Sequence, residues 1–124
     1  QEDEHSCFSD TTNADLQGNF VGIKNVYLGT YGSNTTGAGI TKLVAAVDPA
    51  LDAQMKADLQ TAEAAFTAMQ AEPFDFAIMS DDSAPARKHV LEAIQAVKKL
   101  ATDIVAAGTK LGVQFSVEAP SEEL

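Results

Sequence analysis

The sequence has no tryptophan, a single cysteine, and aromatic residues at only 6% of its 124 positions. So few aromatics leave a core to be built from Ala, Leu, Val, Ile and Met, which suits closely packed helices better than a sandwich of short β-branched strands. The lone Cys7 excludes a disulfide within the chain and the paired-cysteine zinc patterns. Its plainer role is a small buried apolar side chain, and its alternative is a bridge to a segment outside this sequence. No apolar run approaches the ~18–20 residues of a membrane-spanning helix. Basic residues are scarce as well, 8 against 18 acidic ones, for a formal net charge of −10. A surface of that sign repels phosphate backbones and anionic lipid. No nucleic acid partner is expected, and membrane contact is expected only through an anchor outside the chain. An initiating methionine and a signal peptide are also missing, and the abrupt polar opening Gln1-Glu2-Asp3-Glu4 reads as the interior start of a piece of something larger.

What is present is a 45% hydrophobic composition on a length that fits one domain, 1–124, with one real core. The spacing predicts a first helix over residues 13–31, with Leu16, Phe20, Ile23 and Tyr27 on one face. Thr11, Thr12 and Asn13 offer capping oxygens at its start. Gly18 and Gly22 lie one turn apart on a neighbouring stripe and are expected to let another helix approach closely. A Gly/Ser/Asn loop covers 29–39, and Ile40–Val47 forms a short helix. Asp48 followed by Pro49 is a strong helix start. The helix it opens, predicted over 49–71, carries Leu51, Met55, Leu59, Ala62, Phe66 and Met69 in near-heptad rhythm, with Asp52, Lys56, Asp58 and Glu63 off that stripe. Pro73 ends it, and residues 74–79 read as an apolar connection over one end of the bundle. Ser80, Asp81, Asp82 and Ser83 compete to cap the last helix, which has Pro85 in its first turn and runs to about residue 111, where Gly112 stops it. Its expected core face is Val90, Ile94, Val97, Ala101, Ile104 and Val105, with Leu100 flanking. Phe115 is expected to tuck back onto the bundle, ahead of an acidic tail. The fold class that follows is all-α, an up-and-down bundle of about four helical segments.

Three constellations carry possible chemistry. His5, Cys7 and Asp10, with Glu2 and Glu4 close by, offer nitrogen, sulfur and oxygen donors to a metal, although their spacing matches no established chelating pattern; the plainer reading is a polar segment making local capping bonds. His89 and Glu92 stand three apart on one helix side, as in carboxylate-histidine metal sites, but they flank the core stripe, and an exposed ion-pair-like contact is expected of them. Asp81-Asp82 reads as acidic complement to a helix start, without the alternating oxygens of a calcium loop. No Ser/His/Asp arrangement follows from spacing, so no catalytic residue is assigned.

The stretch Glu4-His5-Ser6-Cys7-Phe8-Ser9-Asp10 and the stretch Gly22-Ile23-Lys24-Asn25-Val26-Tyr27-Leu28-Gly29-Thr30-Tyr31 resemble the imelysin family. The likeness continues through the Asp48-Pro49 start, Pro73-Phe74-Asp75 and the Lys110-Leu111-Gly112 end. It implies a bacterial periplasmic or outer-membrane-associated protein linked to iron supply, built of two helical domains, of which this chain matches the C-terminal one. Its partner is then the N-terminal helical domain of the same protein. The family is classified with metallopeptidases for a Gly-x-His-x-x-Glu motif in its first half. His89 and Glu92 have the His-x-x-Glu spacing, but Arg87 takes the glycine place, and the motif role is not carried over to them. Where the family pattern has Asn-Thr-His after Ser-Asp, this chain has Thr11-Thr12-Asn13, and Asp15 is retained. The replaced His removes one metal donor. The resemblance places the ligand-binding residues at His5, Ser9, Asp10, Asn13 and Asp15, facing the partner domain, with iron or zinc as the candidate metals. The expected function is binding of a metal or ligand at that interface. The alternatives are a metallopeptidase whose motif lies in the other half, and a purely structural scaffold.

Overall fold

Proline and glycine punctuate the chain, and the helices fall between them. The computed structural model describes residues 5, 6 and 8–114; Glu2, Glu4, Cys7, Phe115 and the acidic tail lie outside the described residues. Five helices follow one another: α1 (Thr12–Leu28), α2 (Ile40–Val47), α3 (Pro49–Met69), α4 (Phe74–Met79) and α5 (Pro85–Lys110). The all-α class is as expected. The residues read as a mere connection, 74–79, form the short helix α4, with Ala77 buried.

The ends of the helices show their local causes. Asp48 caps α3 by accepting a hydrogen bond from the Leu51 N–H at 3.1 Å, and Pro49 follows at the first turn. α1 stops at Gly29, which takes a left-handed φ of 74° and donates its N–H to the Asn25 carbonyl. α5 stops at Gly112 (φ 78°), where Val113 N–H reaches back to the Gly108 carbonyl at 2.8 Å. The start of α5 differs from expectation. Its first flanking residue is Ala84, without a side-chain cap. Asp81 instead accepts from the N–H and hydroxyl of Ser83, closing a local turn that competes with capping. Thr11 likewise flanks α1 without capping it.

α3 is the central element. Its predicted stripe is buried from Met55 through Leu59, Ala62, Phe66 and Met69, with Leu51 partly covered. α1 and α5 run antiparallel to it. Asn13 near the start of α1 bonds the carbonyls of Met69 and Glu72 at the far end of α3, while Lys110 at the end of α5 pairs with Asp48 at 3.0 Å. Phe20 of α1 stacks on Phe66 with ring centroids 5.0 Å apart.

The buried face of α5 is turned from the expected one, and on α1 one residue of the expected face departs from it. On α5 the buried residues are Ala86, Val90, Ala93, Ala96, Leu100, Asp103, Ala107 and Gly108, while Ile94 and Val97 remain 45% and 42% exposed. α5 lies mainly against α3, and both helices present alanines there, Ala62 and Ala65 opposite a face holding Ala93 and Ala96. Small side chains let the axes come close, so the larger aliphatics are turned aside. On α1 Phe20 and Tyr27 are buried as expected, but Ile23 is 47% exposed. A Cβ built on Gly18 or Gly22 meets nothing within 4 Å, so the close helix expected over them is not among the described residues.

Candidate functional site

The N-terminal segment folds back on the first turn of α1. Asp15 sits in that turn, and a helix start holds a carboxylate favourably. Its Oδ2 accepts from the Ser6 hydroxyl and, at 3.1 Å, from the Thr11 hydroxyl. The His5 imidazole lies alongside, with Nδ1 3.0 Å from Ser6 Oγ and 3.7 Å from Asp15 Oδ2. Ser9 completes the ring through its hydroxyl, 2.8 Å from Thr11 Oγ1 and 3.3 Å from the Ser6 carbonyl. The Ser6 N–H donates to Thr12 Oγ1, which locks the segment to the helix. The Ser6 hydroxyl, followed by Thr11 and His5, holds the Asp15 carboxyl below the usual carboxylate range. The cluster stays open to solvent: the His5 and Asp15 side chains are 56% and 40% exposed.

Of the five expected ligand residues, the structure brings His5, Ser9 and Asp15 together. Asp10 is exposed, with a left-handed φ of 52°, and turns the chain into α1. Asn13 points elsewhere: its side-chain nitrogen donates to Met69 O at 3.1 Å and Glu72 O at 2.7 Å, while the Gln70 side chain donates to the main-chain carbonyl of Asn13 at 3.0 Å. Asn13 thus serves the open carbonyls at the end of α3, and its buried Oδ1 has no hydrogen-bond partner among the described residues. Ser6, which the spacing did not single out, is the residue that joins His5 to Asp15, and Thr11 joins Ser9 to Asp15. The signal was their short-range reach across a helix start. Ser6 gives its one proton to Asp15, so it is not aligned to lose that proton to His5 as a nucleophile would. The arrangement offers an imidazole and a carboxylate to a cation or a hydrogen-bond donor. Among the described residues no three His, Cys, Asp or Glu side chains converge on one point.

His89 and Glu92 form neither a hydrogen bond nor an ion pair among the described residues, so the expected contact between them is absent. His89 is half-buried and Glu92 lies on the exposed edge between α3 and α5.

Asp52, Lys56 and Asp58, placed off the apolar stripe of α3 by spacing, belong to a second polar group that lies between the helices. Asp52 is only 6% exposed. It accepts from Tyr27 of α1 at 2.8 Å, Thr41 of α2 at 2.6 Å and Lys56 of its own helix at 2.7 Å. Burial pushes its carboxyl up, but the Lys56, Thr41 and Tyr27 bonds outweigh burial and hold it below the usual range. Burial, then the bond to Asp52, pushes the Tyr27 phenol up, so it remains a donor. Beside them Lys99 of α5 bridges Asp58 at 2.9 Å and Asp103 at 2.8 Å. Burial, then the neighbouring Asp58, pushes the Asp103 carboxyl up; the nearness of Asp103, with help from Gln54 and Lys99, holds Asp58 down at about 2. Each of these carboxylates, the buried Asp52 and Asp103 and the partly covered Asp58, has its partners, and the group ties α1, α2, α3 and α5 together.

Comparison with other proteins gives one family. The model of the imelysin (peptidase M75) family matches residues 1–104. No curated protein sequence matches the chain. The matched stretch includes the His5–Ser6–Asp15 cluster and the buried carboxylates.

Proposed function

The chain belongs to the imelysin family, and from that premise we propose that it is a binding domain of a bacterial envelope protein concerned with iron supply. It holds a cationic ligand, a metal ion such as iron or zinc in the first place, at a junction with a second helical domain of the same polypeptide. The observation that carries this reading is the His5–Ser6–Asp15 cluster: an ionised carboxylate, aligned by two hydroxyls, beside an imidazole, both open to solvent at the head of α1. Imidazole nitrogen and carboxylate oxygen are the donor pair that divalent and trivalent first-row metals accept. Two such donors make half a site, and the neighbouring domain supplies the rest. Ser9 and Thr11 act behind the donors by fixing the carboxylate's direction, and Asn13 anchors the segment to α3.

The test is calorimetric titration of iron(II), iron(III) and zinc(II) into the whole polypeptide, repeated with His5→Ala and Asp15→Ala. Each variant is expected to weaken binding by about tenfold or more, since outer and inner ligands commonly carry 10–100-fold in affinity. Affinities unchanged in both variants, or no saturable binding of any of the three ions, would remove the cluster as a site.

The peptidase designation of the matching family supports a second reading, in which this domain lines the cleft of a metallopeptidase whose metal motif lies in the other half. Under that reading peptide hydrolysis by the whole polypeptide is lost on chelation and restored by metal. Under the first reading ligand is taken up without product.

A further inference from the structure

A hydroxyl has one proton to give, and that settles the direction of the side-chain hydrogen bonds at the head of α1. The Asp15 carboxylate sets the polarity. Ionised, it only accepts, and the Ser6 hydroxyl, followed by Thr11 and His5, holds it in that form. Both hydroxyls therefore point their protons at Asp15 Oδ2. Thr11 then has none left for Ser9, so Ser9 donates across the 2.8 Å contact between the two. Ser6 likewise has none left for His5, whose Nδ1 lies 3.0 Å from Ser6 Oγ. The hydrogen bond that fits this contact runs from the ring to the hydroxyl: His5 Nδ1–H donates and Ser6 Oγ accepts.

The opposite direction is disfavoured on two counts. Were Ser6 to turn its proton to the ring, Asp15 would lose one of its two hydroxyl donors, and hydrogen bonds to an ionised group are roughly twice as strong as neutral ones. The Asp15 charge also draws the ring hydrogen directly, since Oδ2 lies 3.7 Å from the same Nδ1. Ser6 is held in place for this by its own N–H, which donates to Thr12 Oγ1 at 3.2 Å. A neutral imidazole has one N–H and one lone pair. With the hydrogen on Nδ1, the lone pair is on Nε2, at the far side of the ring from Ser6. A histidine side chain free in water favours the reverse, with its hydrogen on Nε2. The His5 side chain is 56% exposed, and its ring has no other hydrogen-bond partner among the described residues.

We infer that Ser6 is a positioning residue: it relays the Asp15 carboxylate to His5, keeps the ring hydrogen on Nδ1, and leaves Nε2 as the lone-pair atom that meets the ligand. The inference deepens the metal-binding reading given above, and its consequence for affinity rests on that reading. Metal-binding histidines are commonly set in this way by a carboxylate on the other ring nitrogen; here a hydroxyl stands between the two. Asp15 serves twice, because its Oδ1 accepts no hydrogen bond among the described residues and stays open as a second donor atom.

Nitrogen NMR of isotope-labelled histidine rings in the whole polypeptide, free of metal, tests this. Spectra are taken well above the ordinary imidazole value of about 6.5, where the ring is neutral, and the His5 signal is assigned by its loss in His5→Gln. The hydrogen is expected on Nδ1 in most molecules. That majority is expected to be lost in Ser6→Ala and in Asp15→Ala, where Ser6 is free to donate to the ring, and kept in Ser6→Thr, which retains a hydroxyl. Zinc(II) titrated into the same proteins is expected to bind about tenfold or more weakly to Ser6→Ala and near the original affinity to Ser6→Thr. A majority of Nε2–H in the unsubstituted protein overturns the relay, as does a majority of Nδ1–H that survives both Ser6→Ala and Asp15→Ala. Zinc affinity unchanged in Ser6→Ala removes Ser6 from the site. The expected tautomers without saturable zinc binding support the relay and fail the metal-binding reading alone.

Discussion

Lys99 illustrates how one side chain decides the state of two others. Its ammonium lies between the Asp58 and Asp103 carboxylates, and its own proton is held more tightly for it, by the Asp103 bond first and the Asp58 bond next. The pH dependence follows from the directions of these shifts. Asp58, depressed to about 2, contributes stability that is complete above the ordinary unfolded carboxylate value of about 3.9 and fades as pH falls toward 2. Asp103, raised by burial, works in the opposite sense: its ionised form costs stability at neutral pH, and that cost disappears as the group takes up a proton. Lys99 contributes below its unfolded value and loses the contribution as pH rises past its folded one. Lys99→Met should therefore lower the thermal midpoint most at neutral pH, and the loss should shrink as the pH falls toward the carboxylate range, because a proton taken up by Asp103 can replace the ammonium bridge to Asp58. Scanning calorimetry across a pH series checks this, and a loss that does not change with pH would contradict the bridging role. None of this was legible in residue spacing. Asp52 and Asp58 sit off the apolar stripe of α3, and the burial of Asp52 and partial cover of Asp58 are set by α1, α2 and α5 closing over that side. Asn13 makes the same point at the candidate site. Its place in the sequence put it among the ligands, and its amide went to the end of a helix 56 residues away.

Among the elements, the glycines divide into two kinds. Gly29, Gly37 and Gly39 bring the end of α1 onto the start of α2 with backbone against backbone: a Cβ on Gly39 would fall on the Gly29 nitrogen and the Tyr27 carbonyl. Gly39→Ala should accordingly cost about 3 kcal/mol, the upper range for overpacking where only backbone can give way. Gly18 and Gly22 meet no such neighbour, so Gly22→Ala should stabilise the 124-residue chain by about 0.5–1 kcal/mol through helix propensity. Denaturant titration of the two variants separates the cases, and opposite signs are expected. The sequence offered the same letter at all five positions. It indicated loop against helix, through the density of Gly, Ser and Asn over 29–39, but not which glycine is crowded. Helix limits were more legible because they depend on neighbours in the chain: α2 and the start of α3 fall where Ile40 and Asp48-Pro49 place them. The start of α5 was less so, since four adjacent polar residues compete to cap it and the turn made by Asp81 and Ser83 prevails.

For the whole molecule, the distinction that matters is between a closed side and an open one. Phe66 is 6% exposed on the closed side, stacked on Phe20. Phe66→Ala should cost ~3–5 kcal/mol in the 124-residue chain. Ile94 is 45% exposed on the open one, and Ile94→Gln in the same chain should cost under about 1 kcal/mol, as surface changes do. Urea midpoints with a common slope measure both, and similar losses for the two would mean that Ile94 is core. The sequence by itself determined the helical class, the near-heptad face of α3 and the proline and glycine punctuation, because all three arise from interactions within a few residues of chain. Only the tertiary structure decided that α5 turns Ala93 and Ala96 inward and Ile94 and Val97 outward, that Asp52 and Asp103 are buried, and that His5, Ser6 and Asp15 meet. Adjacent helix faces differ by about 100° of rotation, and hydrophobicity favours the larger side chain on either. Which face is chosen depends on how closely two axes can approach, and that is a property of α3 and α5 together, written in neither alone.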